Sequence, residues 1–264
     1  MDATAFPAAA PDASTARALT AWNTPALPHG FMGRLGGVSR GAFSSMNLAR
    51  WLGDDAAALD ENWRRWRASY PSLTPACLKQ VHGDDVRTVD GSYDGARHAA
   101  DGMVTAASGI ALCIFSADCV PVLLADAERG VVGALHAGWR GAFANIAAAG
   151  VRAMVALGAR PAFIDAALGP SIGVCCFEVD AELAERFARM IPESGRHTRP
   201  GRPGKAHLDL RPIIREQLAA AGLDPARIAT VGPCTRCASE RYFSRRAVRG
   251  ATTGLQMSFI GLKP

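Results

Sequence analysis

The sequence predicts an α/β protein of mixed β-sheets flanked by helices. Three observations carry this. Short apolar runs rich in Val, Ile and Leu recur between turn signals, as buried strands do. Amphipathic stripes of helical period lie between them. The two alternate without the strict strand–helix–strand rhythm of an all-parallel sheet, so mixed sheets with helices packed outside are expected. The chain of 264 residues is 49% apolar and 20% charged, which suffices for a sizeable core. No apolar run approaches the roughly 18 residues of a membrane span, so no membrane partner is expected.

Residues 1–20 are rich in Ala, Pro, Ser and Thr and read as a poorly ordered tail. They lack a basic n-region and a continuous apolar h-region, so no secretory signal is read. Residues 21–264 are expected to form one domain. Residues 31–48, FMGRLGGVSRGAFSSMNL, read either as a strand–turn–strand unit or as a binding loop. No Walker A or dinucleotide fingerprint is present there. A helix then starts at Asp54 or Asp55, with Leu59, Trp63, Trp66 and Tyr70 on one face, and stops before Pro71. Val81 and Val86 read as strand positions, separated by the turn His82-Gly83-Asp84-Asp85. ADGMVT, beginning at Ala100-Asp101, is a further strand.

The central stretch holds three apolar runs, Leu112–Phe115, Val120–Leu124 and Val131–Leu135. Ala125–Gly130 is a hairpin-like connection between the last two. After His136, Gly138 and Gly141 allow a sharp turn into one helix with Phe143, Ile146, Val151, Met154 and Leu157 inward and Gly158 at its end. Its N-terminus, beside His136 and Arg140, favours an anion. Phe163–Leu168 is a strand. Asp180 caps a helix with Leu183, Phe187, Met190 and Ile191 on one face, and residues 192–206 form a basic loop. Asp209 caps another helix, with Ile213, Ile214 and Leu218 inward and Gly222 closing it. Strands at Arg227–Val231 and Gln256–Ile260 finish the chain. No internal repeat occurs.

The net charge is +5 and the pI about 9.0. Arginine is dense from Arg186 to Arg215 and from Arg236 to Arg249. This reads first as a solvated face and next as a preference for an anionic substrate or phosphate. Nucleic acid is not expected, because no helix-turn-helix, zinc-finger or RNA-recognition signature accompanies the charge. Seven cysteines, an odd number with no export signal, argue for reduced thiols in the cytoplasm. Cys234-Thr-Arg-Cys237 is a lone CxxC, so a structural zinc ribbon lacks its second half.

His82, Cys119 and His136 stand where strands meet loops. A thiolate beside imidazoles either binds a soft or borderline metal or forms a nucleophile–base pair. As zinc ligands the three would leave one tetrahedral position open, the mark of a catalytic site. Copper also suits His2Cys, but six histidines in the whole chain are too few for the blue-copper and trinuclear sites of a multicopper oxidase.

Several long motifs resemble one family in its own order: KQVHG at Lys79–Gly83, SADCVP at Ser116–Pro121, HAGWRG at His136–Gly141 and GPSIGVCCFEV at Gly169–Val179. GRLGGVS and SSMNL before them, and YFSRR and TGLQMSFI after, extend the likeness over nearly the whole chain. It is similar to the laccase-domain (YfiH-like) family, also described as polyphenol oxidase-like or as multifunctional purine nucleoside phosphorylase. ADGMVT carries Gly-Met where the family often has Ala-Leu, and the tail after Arg246 is looser. The resemblance implies a YfiH-like fold with a zinc (Zn2+) site at His82, Cys119 and His136. It also implies phosphorolysis of adenosine, inosine and methylthioadenosine, with deamination of adenosine at the same site. Purine nucleosides and phosphate are the expected partners, and a monomer is expected. Arg34, Arg40, Lys79 and Arg140 are candidate phosphate holders, and Arg34, Ser39, Asn47, Lys79 and Gln80 candidate substrate contacts. Asp118 or Asp101 would carry protons. Each of these also reads as a salt bridge or a turn residue. Other readings are a copper-dependent polyphenol oxidase, a hydrolase with Cys119 as nucleophile and His136 as base, and an editing factor for peptidoglycan precursors.

Overall fold

The computed structural model describes residues 22, 26–93, 97–190 and 197–264; the expected tail at 1–20 and Ile191 lie outside them. The three central apolar runs form β5 (Ile110–Ser116), β6 (Val120–Asp126) and β7 (Val131–Ala137), every residue of which is buried. Strands covered on both faces need no polar alternation, which is why these runs are continuously apolar. β6 and β7 form the expected antiparallel hairpin, with Val120 opposite Ala137 and Asp126 opposite Val131.

β5 does not join them. It lies in a four-stranded sheet ordered β1 (His29–Phe31), β13 (Gln256–Gly261), β5, β2 (Thr74–Cys77). β6 and β7 lie in a six-stranded sheet ordered β12 (Ile228–Thr230), β8 (Asp165–Leu168), β6, β7, β4 (Gly102–Thr105), β3 (Val86–Thr88). The chain therefore changes sheets at Ala117-Asp118-Cys119. Both sheets are mixed: β2 runs parallel to β5 and β13 antiparallel to it, while β3–β4 and β8–β12 are the parallel pairs of the larger sheet.

Alternate residues show how the layers stack. Leu112 and Ile114 of β5 pack with Leu123, Ala125, Val132 and Ala134 between the two sheets. Ala111, Cys113 and Phe115 point the other way, onto Trp63 and Trp66 of α1 (Ala56–Ser69). Val122, Leu124 and Leu135 cover α3 (Ile146–Ala156) and α5 (Leu210–Ala220), through Ile146, Val151, Ile213 and Ile214. The order is helix, sheet, sheet, helices, the mixed α/β arrangement that the sequence predicts. Asp55 caps α1 by accepting from Ala58 N, and Asp209 caps α5 with Gly222 at φ 102° beyond its end.

Several local expectations are corrected. The helix expected after His136 is two: α2 (Trp139–Phe143) and α3, divided at Asn145, which sits at φ 64° and caps α3 through Ala148 N. The anion site expected at its N-terminus thus falls on a five-residue helix, too short for much of a dipole. Val81 is exposed and lies outside any strand, because residues 81–83 bend around a carboxylate. Phe163 precedes β8 in a 3-10 turn and is exposed, as is Met190 at the end of α4 (Ala181–Met190). The expected basic loop contains a hairpin, β10 (Thr198–Pro200) with β11 (Lys205–Leu208), which pairs on to β9 (Glu178–Asp180) in a small third sheet. Residues 32–48 hold no second strand, only a 3-10 turn at Gly41–Phe43.

Candidate metal centre

His136 is the residue before the last of β7, opposite Pro121, and Cys119 immediately precedes β6. The hairpin register therefore sets them side by side at one end of the sheet. His82 reaches the same place from the loop between β2 and β3. One ligand atom from each of the three lies within 4.8 Å of the others, and the two imidazoles meet edge to face with centroids 4.9 Å apart. His136 is buried, Cys119 half-buried and His82 exposed, so the group opens to solvent on the His82 side.

Asp101, fully buried just before β4, organises this cluster. Its Oδ1 lies 2.8 Å from His136 Nδ1 and accepts His82 N–H at 2.9 Å. Its Oδ2 accepts Gly83 N–H at 2.7 Å and Val81 N–H at 3.1 Å. With Nδ1 facing a carboxylate, His136 presents Nε2 to the cluster, the orientation that a carboxylate imposes on a ligating imidazole. The same carboxylate curls residues 81–83 so that His82 adopts φ 63°. Asp118, before Cys119, is at φ 101°. Left-handed backbone is costly for such residues and persists where surrounding contacts enforce it.

The electrostatics follow from the crowding. Burial pushes the Cys119 thiol up, but the His136 charge and hydrogen bonds from both histidines outweigh it, bringing the thiol down to about 6. Burial pushes His136 down, but the Cys119 and Asp101 charges and hydrogen bonds raise it to about 9. Between about pH 6 and 9, without a metal, these values make the pair a thiolate beside an imidazolium. Glycines make room: a Cβ on Gly138 would stand 3.1 Å from both Cys119 Sγ and His82 Cδ2, and one on Gly141 2.8 Å from Gly83 O.

The other expected site residues are distributed as follows. Asp118 accepts from Thr235 Oγ1 at 2.6 Å and Arg246 N at 2.7 Å, which ties the corner at Cys119 to the C-terminal segment. Arg140 is exposed, its guanidinium 4.3 Å over the Trp139 ring. Lys79 is exposed, with its backbone bonded to His98 and Ala100. The Gln80 amide is taken up by both backbone groups of Phe115. Arg34 donates to the carbonyls of Ser44 and Ser239. Ser39 and Asn47 both bind the Asp54 carboxylate. That carboxylate borders a depression of about 710 Å3 lined also by Val38, Arg40 and Phe43; none of the three cluster residues lines it. Sequence reasoning named Asp101 only as a proton carrier and Gly138 only as a turn former, and it missed Thr235, which nothing in the spacing marks.

Residues 28–263 match the family described as multi-copper polyphenol oxidoreductase laccase. The chain belongs to this family. It is 40% identical to purine nucleoside phosphorylase ORF3 of Streptomyces griseus, over 88% of this chain and 93% of that protein. It is 36% identical to adenosine deaminase RL5 of an unknown prokaryotic organism, over 84% and 88%. Among solved structures, YfiH of Bacillus licheniformis superposes with a TM-score of 0.86 at 33% identity, covering 96% of this chain and 98% of that one. YlmD of Geobacillus stearothermophilus does so with 0.83 at 35% identity, over 91% and 93%. The family's name is at odds with the donors present here. Among the described residues, only His82 and His136 of the six histidines enter a metal-competent group, and a trinuclear copper cluster needs many more. No helix of the described residues is long and apolar enough to cross a membrane.

Proposed function

We propose that the chain is a zinc-dependent purine nucleoside enzyme. It phosphorolyses adenosine, inosine and methylthioadenosine, and it deaminates adenosine hydrolytically. The observation that carries the reading is the convergence of His82, Cys119 and His136, with His136 aimed by Asp101. Relatives named purine nucleoside phosphorylase and adenosine deaminase support the same chemistry. Two imidazoles and a thiolate fit zinc and leave one tetrahedral position free. When bound there, zinc would supply a Lewis acid and lower the pKa of water from ~15.7 toward ~7.

The chain's own groups do the rest. Asp101 fixes His136 and the His82 loop together. Asp118 fixes Cys119 and is our candidate for carrying the proton that deamination at purine C6 requires. Phosphorolysis needs an anion beside the glycosidic carbon, and exposed Arg140 and Lys79 are our candidates for holding it; the Arg fork suits phosphate better than a point charge. Arg34 is already engaged by two carbonyls and is a weaker choice.

Purified protein incubated with adenosine and phosphate should yield adenine and ribose 1-phosphate, with inosine from deamination. Activity should vanish on chelation and return with zinc. Activity restored by copper alone, with oxidation of phenols, would sink the reading. A second reading has its own support. Asp101, His136 and Cys119 lie in the order of orienter, base and nucleophile that thiol hydrolases use. Under it, metal-free protein keeps its activity and loses it to iodoacetamide.

A further inference from the structure

The lone CxxC of the sequence acquires its second half in the fold. Cys234 and Cys237 follow β12, and vicinal Cys175 and Cys176 lie in the turn between β8 and β9. Parallel pairing of β8 with β12 and the bridge between Ser171 and Cys234 bring the two segments together. The four sulfurs all lie within 4.8 Å of one another. Cys237 Sγ is 3.5 Å from Cys175 Sγ and 3.4 Å from Cys176 Sγ. Sulfurs held tetrahedrally at about 2.3 Å around one zinc stand roughly 3.8 Å apart. The cluster is therefore of the right size for a single ion.

We propose that Cys175, Cys176, Cys234 and Cys237 form a second metal site, a closed tetrathiolate that holds zinc as a structural cross-link. Four thiolates fill the tetrahedron and leave no open position, which is the structural rather than the catalytic pattern. The surroundings suit the net negative charge of such a complex. Backbone N–H groups of Gly173, Arg236 and Cys237 point at the Cys234 sulfur, and Arg236 Nη1 lies 3.4 Å from Cys176 Sγ. Cys176 and Cys234 pack with Ile172 on the inner side, while Cys175 and Cys237 are exposed, so an ion has both a rigid floor and an entry. On binding, the ion displaces the thiol protons to solvent, and no oxidant or reductant takes part.

The place of the cluster gives the cross-link its consequence. Both segments it would join also hold Asp118. Thr235, beside Cys234, donates to the Asp118 carboxylate at 2.6 Å, and Ile172 N–H donates to Asp118 O at 2.9 Å. The second ion would thus stiffen the wall behind the corner that carries Cys119, without touching the first site.

The test counts metal in full-length protein made in zinc-supplemented medium. Wild type should carry two zinc ions per chain by elemental analysis. Protein with both His82→Ala and Cys119→Ala should keep one, and adding Cys175→Ser with Cys237→Ser should remove it. These last two thiols are exposed, so their replacement leaves the core alone. Cobalt titrated into the metal-free double variant should give the intense sulfur-to-metal charge-transfer band of a tetrathiolate, absent when Cys175 and Cys237 are serine. Retention of a full zinc complement by the Cys175→Ser, Cys237→Ser protein would overturn the proposal. So would a disulfide at these cysteines in protein isolated anaerobically. The proposal stands apart from the purine nucleoside reading, since the first site is empty in the decisive variant.

Discussion

Asp101 accepts hydrogen bonds at both oxygens, from His136 and from the backbone of residues 81–83, so one carboxylate aligns two of the three proposed ligands. Asp101→Asn turns an acceptor oxygen into an N–H donor facing other donors. We predict a metal affinity weaker by about 10–100-fold with the fold retained, the usual cost of losing such a partner; competition with a chromogenic chelator measures it, and an unchanged affinity would reject the role. His136 is raised to about 9 and Cys119 lowered to about 6 in the metal-free site. Between those values zinc must displace one proton, from His136, and below the lower value a second, from Cys119. Apparent affinity should accordingly rise with pH up to about 9 and fall more steeply below about 6. Calorimetry in buffers of differing ionisation enthalpy counts the protons, and a pH-independent affinity would contradict the assignment. The ligands should also differ when removed. His82→Ala is exposed and should abolish activity with little change in Tm. His136→Ala leaves the buried Asp101 carboxylate short of its charged partner and should abolish activity and lower Tm together.

Asn145 decides the shape of the segment after His136. Without it, the apolar spacing from Phe143 to Leu157 continues as one helix; with it, the chain turns through φ 64° and starts again. The Asn side chain both tolerates that conformation and caps the new helix at Ala148 N. Asn145→Ala should cost about 1–2 kcal/mol in urea unfolding, and Asn145→Gly markedly less, because Gly keeps the backbone freedom. Equal losses would mean that the cap, not the backbone conformation, carries the effect. The sheet switch at residues 117–119 is the second decisive element. It separates β5 from β6 and leaves Cys119 at a rim, where a thiol can be both held and reached.

At the scale of the molecule, stability and chemistry occupy different places. The α1 layer rests on Trp66, buried among Phe115, Phe259 and Tyr70 on the outer face of the four-stranded sheet. Trp66→Ala should cost about 3–5 kcal/mol while zinc affinity at low temperature changes little; a large loss of affinity would show that the four-stranded sheet supports the site more directly than the layering implies. Arg140→Lys probes the opposite case. It should raise the KM for phosphate in inosine phosphorolysis and leave adenosine deamination nearly unaltered. A parallel fall in both would assign Arg140 to holding the turn on Trp139.

The sequence by itself determined what patterning and local chemistry encode. Continuous apolar runs specified β5, β6 and β7, because strands buried on both faces admit nothing else. The Leu59, Trp63, Trp66 stripe and the aspartates before it specified α1, since period and cap are local signals. The long motifs singled out His82, Cys119 and His136 as one set. Tertiary structure decided what depends on neighbours distant in the chain. Only strand register could put Asp101 under His136, and only the switch between sheets could part β5 from β6. Only the pairing of β8 with β12 could carry Cys175 and Cys176 to a CxxC that looked unpaired. Each of these is a contact between separate segments, fixed by backbone hydrogen bonding across a sheet, which leaves no period in the sequence to read.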